Sequence, residues 1–478
     1  MGQSFSEVFE AVCRDDGNRI ATVDPAGIPV SFSNFFYTVL AFAEALQGHG
    51  VAKRDLVAVH VDDAIVRSML TLALLRLGAT AMGAVGADGS LGFSPDWHLV
   101  EAGKPGTGGA DIVVGPEWIR SPTRFVPIAG GGRLIRNTSG TTGLPKTRVV
   151  ADEDILFRVR RSTRLRGQPE GAVFIGYAPS STPFFNHMAR SLLAGVAHIH
   201  PRDDDATSLQ LMDAVGVTTA YLSPWNYRRM LAAIEAGAVR PRALRRIITG
   251  GGEVAPAAAI RGEELFGAEV YLSYGSNETG SIAHARPAER PDLPGYLGKP
   301  YSDLDLRFQN PDGSPADPAE GGELWLMSPP EIRVLEFPSG KPVAGSDGWV
   351  CTGDICRLLP DGSLQFLGRS SELLNIGGNK AAPQRFEALA RAVPGVSEVV
   401  AFRLPEPGGG DRLGLAVVPG LGFDAGTLSD HMSAQLGETF PFEIVIRDSL
   451  PVSAAGKTDR RRLTADHGDP SSQVAPPP

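Results

Sequence analysis

The first third of the chain alternates short apolar runs with longer stretches of helical periodicity. The run LVAVHV at 56–61 is rich in β-branched residues and predicts a strand. Asp62 or Asp63 can cap a helix after it, and Gly78 can end that helix. ATAMGAV at 79–85 then predicts a second strand. This β-α-β order predicts parallel strands joined by a right-handed crossover.

The same alternation recurs further along the chain, where apolar runs are again separated by helical stretches. The segments in order are GAVFIGYAP, HMARSLLAG, VAHIH, TTAYLSP, WNYRRMLAAIEAG and LRRIITGGG. Near residue 300 the pattern changes to short strands with tight turns. CRLLPDGSLQFLGR predicts a hairpin, with Asp361 and Gly362 at its turn.

A smaller α+β pattern follows Gly368. Helix PQRFEALARAV precedes strands SEVVAFRLP and RLGLAVVPG, helix TLSDHMSAQLG and strand FEIVIRD. The pattern predicts a large domain over residues 1–368 and a smaller α+β domain over 369–465. The last segment, 466–478, has no apolar face, so we expect it to be a disordered tail.

Composition narrows the class of protein. The 478 residues are 42% hydrophobic and 21% charged, which is typical of a globular chain of two or three domains. The net charge of −9 disfavours a general nucleic-acid binder. Three cysteines and nine scattered histidines form neither a disulfide framework nor a metal-binding spacing.

Nothing in the chain predicts export or a membrane span. The N-terminus lacks the basic and apolar regions of a signal peptide. In the longest apolar stretch, 68–85, Arg76 would cost about 2.5–3.5 kcal/mol at the centre of a bilayer. We therefore expect a cytoplasmic protein with no membrane span.

The loop NTSGTTGLPKT at 137–147 resembles a P-loop but differs from it at one position. Pro145 stands where a P-loop has its second glycine, and it has no N–H to donate. RLIR precedes the loop and the β-branched TRVV follows it, so the context is strand–loop–strand, without the helix that a P-loop opens. These observations exclude a P-loop NTPase.

The density of glycines and hydroxyls still favours phosphate binding. Backbone N–H groups and hydroxyls spaced this closely can wrap a polyphosphate, and a lysine adds charge. The residues concerned are Thr138, Ser139, Gly140, Thr141, Thr142, Gly143 and Lys146. The alternative is a surface hairpin that is rich in turn residues.

Several segments resemble, in the same order, the motifs of the adenylate-forming superfamily. This superfamily comprises acyl- and aryl-CoA synthetases, peptide-synthetase adenylation domains and luciferases. The resemblance covers roughly residues 5–463 and lies in TSGTTGLPK at 138–146, YGSNETG at 274–280, GWVCTGD at 348–354, GRSSELLNIGGNKAAPQRFE at 368–387 and LPVSAAGKTDRRRL at 450–463.

The resemblance implies a fold and a two-step reaction. The expected fold is α/β, with a large N-terminal domain of stacked mixed sheets, helices and a small β-barrel-like region, followed by a mobile α+β C-terminal domain. A carboxylate would attack the α-phosphate of ATP and give acyl-AMP and pyrophosphate. The thiol of CoA, or of a carrier protein's pantetheine arm, would then take the acyl group.

The resemblance also implies roles for single residues. Ser139, Thr141, Thr142 and Lys146 would hold the β- and γ-phosphates, and Glu278 would bind Mg²⁺. Tyr274 would lie against adenine beside Gly275. The segment TGGGE, with Gly250, Gly251, Gly252 and Glu253, resembles the part of the family that lines the adenine and acyl pockets. Asn277 replaces the usual threonine, which leaves the α-phosphate contact open.

In the C-terminal motifs, Asp354 would accept hydrogen bonds from both ribose hydroxyls, and Arg369 would lie near ribose and phosphate. Ser371 falls at the hinge position, which is usually aspartate or lysine. Lys457 would swing in to bridge the substrate carboxylate and the α-phosphate. It is the residue whose loss should abolish adenylation far more than thioester formation.

The substrate expectation comes from GYAPSSTPFFNHMARSLLAG at 176–195. Amino-acid-activating relatives carry an aspartate in the corresponding segment, but this stretch contains no acid. A non-amino acid, apolar or aromatic, is therefore expected. The candidate wall residues are Phe184, Phe185, His187 and Trp225, although both phenylalanines fit an ordinary core equally well.

Three functions stay open at this point. The first is an acyl- or aryl-CoA synthetase that uses ATP, Mg²⁺ and CoA. The second is a stand-alone adenylation enzyme that loads a carrier protein. The third is a catalytically silent nucleotide-binding homologue, which the presence of Lys457, Glu278, Asp354 and Arg369 disfavours.

Overall fold

The structure of the protein is a computed structural model. It describes residues 3–83, 93–104, 106–107, 109–138, 146–327, 329, 332–376, 379–405, 411–436, 442–451 and 458–468. The α-helices are α1 Phe5–Asp15, α2 Phe32–Gly48, α3 Ala64–Leu77, α4 Asp152–Arg166, α5 Thr182–Leu193, α6 Asp205–Val215, α7 Pro224–Glu235, α8 Pro256–Phe266, α9 Pro383–Arg391, α10 Ala425–Leu436 and α11 Arg460–Gly468.

The strands of the first part of the chain are β1 Ile20–Val23, β2 Pro29–Ser31, β3 Leu56–His60, β4 Thr80–Gly83, β5 Trp97–Glu101, β6 Asp111–Val114, β7 Arg133–Thr138, β8 Lys146–Ala151, β9 Ala172–Gly176, β10 His198–Ile199, β11 Val217–Leu222, β12 Arg246–Gly250, β13 Glu269–Ser276 and β14 Gly280–Ala285. Those of the remainder are β15 Tyr296–Gly298, β16 Asp305–Gln309, β17 Gly322–Met327, β18 Leu335–Glu336, β19 Trp349–Leu358, β20 Leu364–Arg369, β21 Leu374–Ile376, β22 Asn379–Ala381, β23 Val396–Pro405, β24 Asp411–Pro419 and β25 Phe442–Ile446.

The strands form four sheets within the described residues. Sheet A has the order β14-β13-β12-β11-β9-β10-β1-β2, and sheet B has the order β18-β8-β7-β4-β3-β5-β6. Both are mixed, since their inner strands are parallel while β13–β14 and β7–β8 are antiparallel. Sheet C has the order β15-β20-β19-β17-β16, and sheet D the order β22-β21-β24-β23 with β25 beside β24.

The chain divides into two compact units. Unit 1 contains Met1–Glu289, Pro300–Asp305 and Leu326–Val350, and unit 2 contains Arg290–Lys299, Leu306–Trp325 and Cys351–Pro478. Sheets A and B belong to unit 1, while sheet D belongs to unit 2. The predicted domain boundary at residues 368–369 stays a prediction.

Sheet A is covered by apolar side chains on both faces. On one face, Val173, Ile175 and Ile248 share a core with helices α1–α5 and with sheet B. On the other face, Phe174 and Ile247 belong to a second core, formed with helices α6–α8. Successive residues of a strand point to opposite faces, so the strands of sheet A read as nearly continuous apolar runs.

The predicted β-α-β unit near the N-terminus is confirmed. The Asp63 side chain accepts hydrogen bonds from the N–H groups of Ile65 and Val66 and so caps α3. Gly78 ends α3 in the left-handed conformation, at φ 74°. Strand β4 then pairs in parallel with β3, as predicted.

The later elements also agree with the sequence pattern, with one difference at the end of the chain. The hairpin β19–β20 is antiparallel, and helices α9 and α10 and strands β23–β25 follow it in the predicted order. Helix α11 continues to Gly468, which is three residues into the segment expected to be a disordered tail. Residues 469–478 lie outside the described part of the chain.

In the described part of the chain, no helix combines the length and the apolar character that crossing a membrane requires.

Candidate active site

The hairpin β13–β14 of unit 1 carries two of the predicted catalytic residues at its turn. Its strands approach closely, since a Cβ on Gly275 would lie 2.4 Å from the carbonyl oxygen of Gly280. The Ser276 side chain accepts a hydrogen bond from the Thr279 N–H at 3.0 Å and closes the turn. The residues between them, 277–278, are therefore held at the tip of a tight hairpin.

The carboxylate of Glu278 lies among arginines. Arg148 Nε is 3.2 Å from Glu278 Oε1, and Arg158 donates to the Glu278 carbonyl oxygen at 3.0 Å. Arg148 also reaches Glu336, with 3.3 Å between Nη1 and Oε1. The Glu278 side chain is 18% exposed. Its charge is thus compensated within the protein, and the contact with Arg148 must loosen before a metal ion can take that oxygen.

A further arginine, Arg136, lies beside this group and has no hydrogen-bond partner for its guanidinium in the described structure. Arg136 on β7 is directly opposite Arg148 on β8. Arg136 is 3% exposed, and among the described residues its guanidinium has no hydrogen-bond partner. Burial, reinforced by Arg158, lowers the pKa of Arg136 to about 9. A buried cation in this position is suited to binding an anion.

The predicted phosphate loop is flanked as expected. Strand β7 ends at Thr138 and β8 begins at Lys146, and the two strands pair antiparallel with these residues opposite each other. The strand–loop–strand context is therefore confirmed. The side chains of Ser139, Thr141 and Thr142, with Gly140 and Gly143, lie outside the described residues, and so does Lys457.

The glycine segment after β12 brings backbone close to other groups. A Cβ on Gly250 would lie 3.1 Å from the carbonyl oxygen of Ser273 and 3.3 Å from the hydroxyl of Tyr177. Gly251 has φ 84°, a conformation that favours glycine. Glu253 is exposed, and Tyr274 follows Ser273 on the neighbouring strand β13. The segment provides a surface of backbone with few side chains; its predicted role in lining the adenine and acyl pockets stays a prediction.

In unit 2 the two residues predicted to bind ribose are brought together. Asp354 on β19 lies opposite Arg369 on β20, with 2.8 Å between Arg369 Nε and Asp354 Oδ1. Asp354 is 5% exposed, and its N–H donates to the Thr352 hydroxyl at 3.0 Å. The predicted hinge residue Ser371 is exposed in a short 3₁₀ helix that follows β20.

The predicted acyl-pocket residues lie in different environments. Phe184 and Phe185, which are 2% and 7% exposed, belong to the core that α5 shares with sheets A and B. Trp225, at the start of α7, is half-buried beneath Arg229, with 4.5 Å from the guanidinium carbon to the ring centre. His187 is linked to the glycine segment through the ring of Tyr177.

His187 is part of an aromatic stack on the α5 face of sheet A. Its ring stacks on Tyr221 with 3.8 Å between centres and on Tyr177 with 5.9 Å. Tyr177 in turn donates to the Gly250 carbonyl oxygen at 3.3 Å. Burial, followed by Arg166 and Arg190, lowers the pKa of His187 well below its usual value, so the ring is neutral. The stack forms an apolar wall that adjoins the glycine segment.

Several residues at this site were missed in the sequence. Arg136 and Arg148 were visible only as charged positions within the strand-forming segments RLIR and TRVV. Tyr177 and Tyr221 looked like ordinary strand aromatics. Arg158 is one of several basic positions in the helical segment 152–166, and it is 8% exposed. Their common location depends on pairing between distant strands, which no local spacing encodes.

Comparison with known proteins agrees with this geometry. Residues 134–332 match the family model described as AMP-binding enzyme. A salicylyl-CoA synthase / salicylate adenylyltransferase from Streptomyces sp is 29% identical over 385 residues, which cover 76% of this chain and 69% of that protein. A fatty acid–[acyl-carrier-protein] ligase from Mycobacterium marinum is 29% identical over 360 residues, covering 69% and 67% of the two chains.

The fold is also that of a solved enzyme. ATP-bound MatB from Rhodopseudomonas palustris superposes with a TM-score of 0.84 at 20% identity, over 98% of this chain and 100% of that one. Fold and relatives together define an AMP-forming acid–thiol ligase. The family model and the relatives confirm the resemblance to the adenylate-forming superfamily that the motifs predicted.

Proposed function

We propose that the protein activates a carboxylic acid with ATP, forming acyl-AMP and releasing pyrophosphate, and then transfers the acyl group to the thiol of CoA. The observation that carries the proposal is the arginine-lined turn of Glu278. Arg136 and Arg148 lie on the two strands that flank the phosphate loop, and Arg158 contacts the Glu278 backbone. A triphosphate needs this concentration of cationic donors, which act strongly in a site of low dielectric.

The residues at the turn fit a magnesium ion. Mg²⁺ is typically held by one or two carboxylates together with water and substrate phosphates, and Glu278 supplies one carboxylate. A bound Mg²⁺ would neutralise charge between the phosphate oxygens. Glu278 would hold the ion through its carboxylate, and Arg148, which contacts that carboxylate at 3.2 Å, would then be available to a phosphate oxygen.

The remaining assignments are proposals of the same kind. Asp354 accepts hydrogen bonds from the ribose hydroxyls, and its contact with Arg369 fixes the carboxylate for that purpose. Tyr274 and the glycine segment take the adenine, and Asn277 donates its amide N–H to the α-phosphate. Ser371 acts as the hinge, and Lys457 bridges the carboxylate and the α-phosphate.

We propose an aromatic or apolar acid that is not an amino acid. The segment 176–195 contains no acid to pair with an ammonium group. The neutral stack of Tyr177, His187 and Tyr221 offers ring faces to an aryl group. The salicylate-activating relative supports the aromatic choice.

The test is carboxylate-dependent exchange of pyrophosphate into ATP over a panel of aryl, alkyl and amino acids. We expect exchange with aryl acids, little with amino acids, and consumption of CoA with the same acids. Exchange without any CoA consumption would favour the second candidate, a ligase that loads a carrier protein, for which the carrier-protein ligase from Mycobacterium marinum is the supporting relative. If no acid supports exchange, the result would favour the third candidate, a catalytically silent nucleotide-binding homologue.

Lys457→Ala separates the two half-reactions. We expect the variant to lose adenylation by a factor of roughly a hundred or more, because the lysine neutralises charge where two anions meet. Thioester formation from synthetic acyl-AMP should fall much less. Equal loss of both half-reactions contradicts the assignment. ATP and CoA are the proposed co-substrates. The cytoplasmic location that the sequence suggests stays a prediction.

A further inference from the structure

Unit 1 contains a cavity on the α5 face of sheet A, at a distance from the glycine segment. Its volume is about 240 Å³, and it lies between the end of α4, helix α5 and strands β11–β14. The side chains that matter for its chemistry are Arg166, Arg190, Arg246, Tyr221, Tyr271 and His284. None of the residues assigned to nucleotide binding above lines it.

The cavity has a single sign of charge. Three arginines line it, and among its described lining residues there is no aspartate or glutamate. Glu269, the acid on the strand next to Arg246, is engaged elsewhere, since it accepts from the Tyr271 hydroxyl and pairs with Arg286. Within the described chain, the side chain of Arg246 makes no hydrogen bond or ion pair. The cationic charge of the cavity is therefore not compensated by the protein.

Donors of the lining residues also lack partners. Arg190 is 4% exposed; it donates to the Tyr221 hydroxyl at 2.8 Å and to the Gly167 carbonyl oxygen, but its Nε has no acceptor in the described structure. The same holds there for Arg166 Nε and His284 Nε2. Buried donors are normally hydrogen-bonded, so three of them around one cavity indicate a missing acceptor.

The three arginines act electrostatically on the same lining residue, His284. The pKa of His284 is lowered to about 4, first by burial and then by Arg166, Arg190 and Arg246. His284 is therefore neutral near pH 7 and adds no charge to the cavity. An anion that entered the cavity would meet a field set by three guanidinium groups, in surroundings that exclude much of the water.

The cavity lies in line with the glycine segment. Along β12 the residues that share one face are Arg246, Ile248 and Gly250, because alternate residues point the same way. Gly250 is four residues after Arg246 along the strand, which corresponds to roughly 13 Å at about 3.3 Å per residue. On α5, His187 and Arg190 are three residues apart and so share a side of the helix.

The aromatic stack connects the two ends. Tyr221 lines the cavity and stacks on His187, while Tyr177, on the other side of His187, touches Gly250. The order along the face is therefore glycine segment, aromatic rings and cationic cavity. This order matches a molecule with a reactive carboxylate, an apolar or aryl body and an acidic group at its far end.

We propose that the cavity binds a second acidic group of the acid substrate, so that the preferred substrates are dicarboxylic acids or aryl acids with a distal carboxylate. The inference rests on the proposed adenylation and specifies its substrate class. Arg190 and Arg246 hold the distal carboxylate, Arg166 adds charge, and Ile248 and Tyr221 contact the body between the two groups.

The test compares acids that differ only in the distal charge. Terephthalate is paired with its monomethyl ester, and the α,ω-dicarboxylates from succinate to sebacate are paired with monoacids of equal length. We expect the ratio of kcat/KM for diacid over matched monoacid to exceed about tenfold, as expected for hydrogen bonds to a charged group. We also expect an optimum length in the aliphatic series.

Arg246→Gln is the informative variant, because Arg246 is only half-buried and supports no other residue through a hydrogen bond. We expect it to reduce the diacid-to-monoacid ratio about tenfold. The matched control is Arg245→Gln, the exposed neighbour, which bonds only to backbone carbonyls of 242 and 244. The control should keep the ratio of the unaltered protein.

The outcomes distinguish this inference from the adenylation itself. A ratio near one in the unaltered protein, or a ratio unchanged in Arg246→Gln, overturns the inference while exchange with monoacids upholds adenylation. Without exchange for any acid, calorimetric binding of terephthalate decides: binding weakened by Arg246→Gln supports the cavity, and no binding overturns it. Terephthalate or sulfate bound there without competing with an activated acid also overturns the substrate assignment.

Discussion

Two groups of arginines in unit 1 differ in how their charge is compensated. The paired arginines, near the Glu278 turn, are Arg148 and Arg161. The cavity arginines are Arg166, Arg190 and Arg246. Arg148 pairs with Glu278 and Glu336, and Arg161 makes two bonds to Asp303, at 2.7 and 2.8 Å. The cavity arginines bond only to a hydroxyl or a backbone carbonyl, or to nothing in the described chain.

The difference separates cations whose charge the empty protein already compensates from cations whose charge it does not. A buried charge is costly unless it is paired and hydrogen-bonded, so a cation that the chain pairs internally needs no ligand. Three cations without an acid raise the energy of the empty protein and favour any anion that fits. Helix α4 carries members of both groups, Arg161 of the paired arginines and Arg166 of the cavity arginines.

The largest expected effect tests whether Glu278 is more than a partner for Arg148. Glu278→Gln should lower pyrophosphate exchange by roughly a hundredfold and raise the Mg²⁺ concentration required, because a carboxylate ligand is lost. Glu336→Gln is the matched control, since Glu336 contacts the same arginine but its side chain is 46% exposed. Equal activity in the two variants would make Glu278 a structural residue only.

The next effect is on stability. Asp303→Asn leaves Arg161, whose side chain is 3% exposed, without its carboxylate. We expect a loss of about 2–4 kcal/mol in the free energy of unfolding, measured by urea denaturation. Asp292→Asn breaks an ion pair in which both side chains are more than a third accessible, so it should leave the free energy of unfolding nearly unchanged. Similar losses in the free energy of unfolding for Asp303→Asn and Asp292→Asn would contradict the distinction between the buried and the exposed ion pair.

A smaller effect of opposite sign is expected for the cavity arginines. In the ligand-free protein, Arg246→Gln removes a cation that repels its neighbours and has no acid to lose. We expect stability equal to that of the unaltered protein or up to about 1 kcal/mol higher, by the same denaturation experiment. A clear loss of stability would mean that Arg246 has a structural role. That result would contradict its assignment to the arginines whose charge is not compensated.

The smallest effect is a change in titration. The pKa of His284, about 4 against a usual 6.5, reflects burial and the three cavity arginines. Because the folded protein binds fewer protons than the unfolded chain between these values, this histidine's contribution to stability is present above pH 6.5 and is lost as the pH falls toward 4. Arg246→Gln should raise the pKa of His284, as measured by NMR, and an unchanged value would place Arg246 too far away to matter.

Local sequence signals predicted the fold well where one short segment decides the structure. Asp63 and Gly78 marked both ends of α3, and the turn at Asp361 and Gly362 marked the β19–β20 hairpin. That hairpin places Asp354 opposite Arg369, so the contact between two predicted ribose residues follows from local pairing.

The cavity could not be predicted in this way. Its lining comes from the end of α4, from α5 and from four strands, so Arg166 and His284 are neighbours only after sheet A has formed. Within a strand such as β12, Arg246 looks like a polar residue at the strand's start. One local signal for the cavity is Arg190, which lies three residues after the candidate His187 on the same side of helix α5.

The alternation of sheet A has a consequence for how this protein can change over generations. The residues on the α5 face lie between neighbours such as Ile247 and Val270, which pack against α6–α8 on the opposite face. Replacing Ile248 or Tyr221 therefore alters the space offered to an acid without disturbing that second core or the turn of Glu278. Selection for a new acid can act on these positions one at a time, while the chemistry of activation is inherited intact.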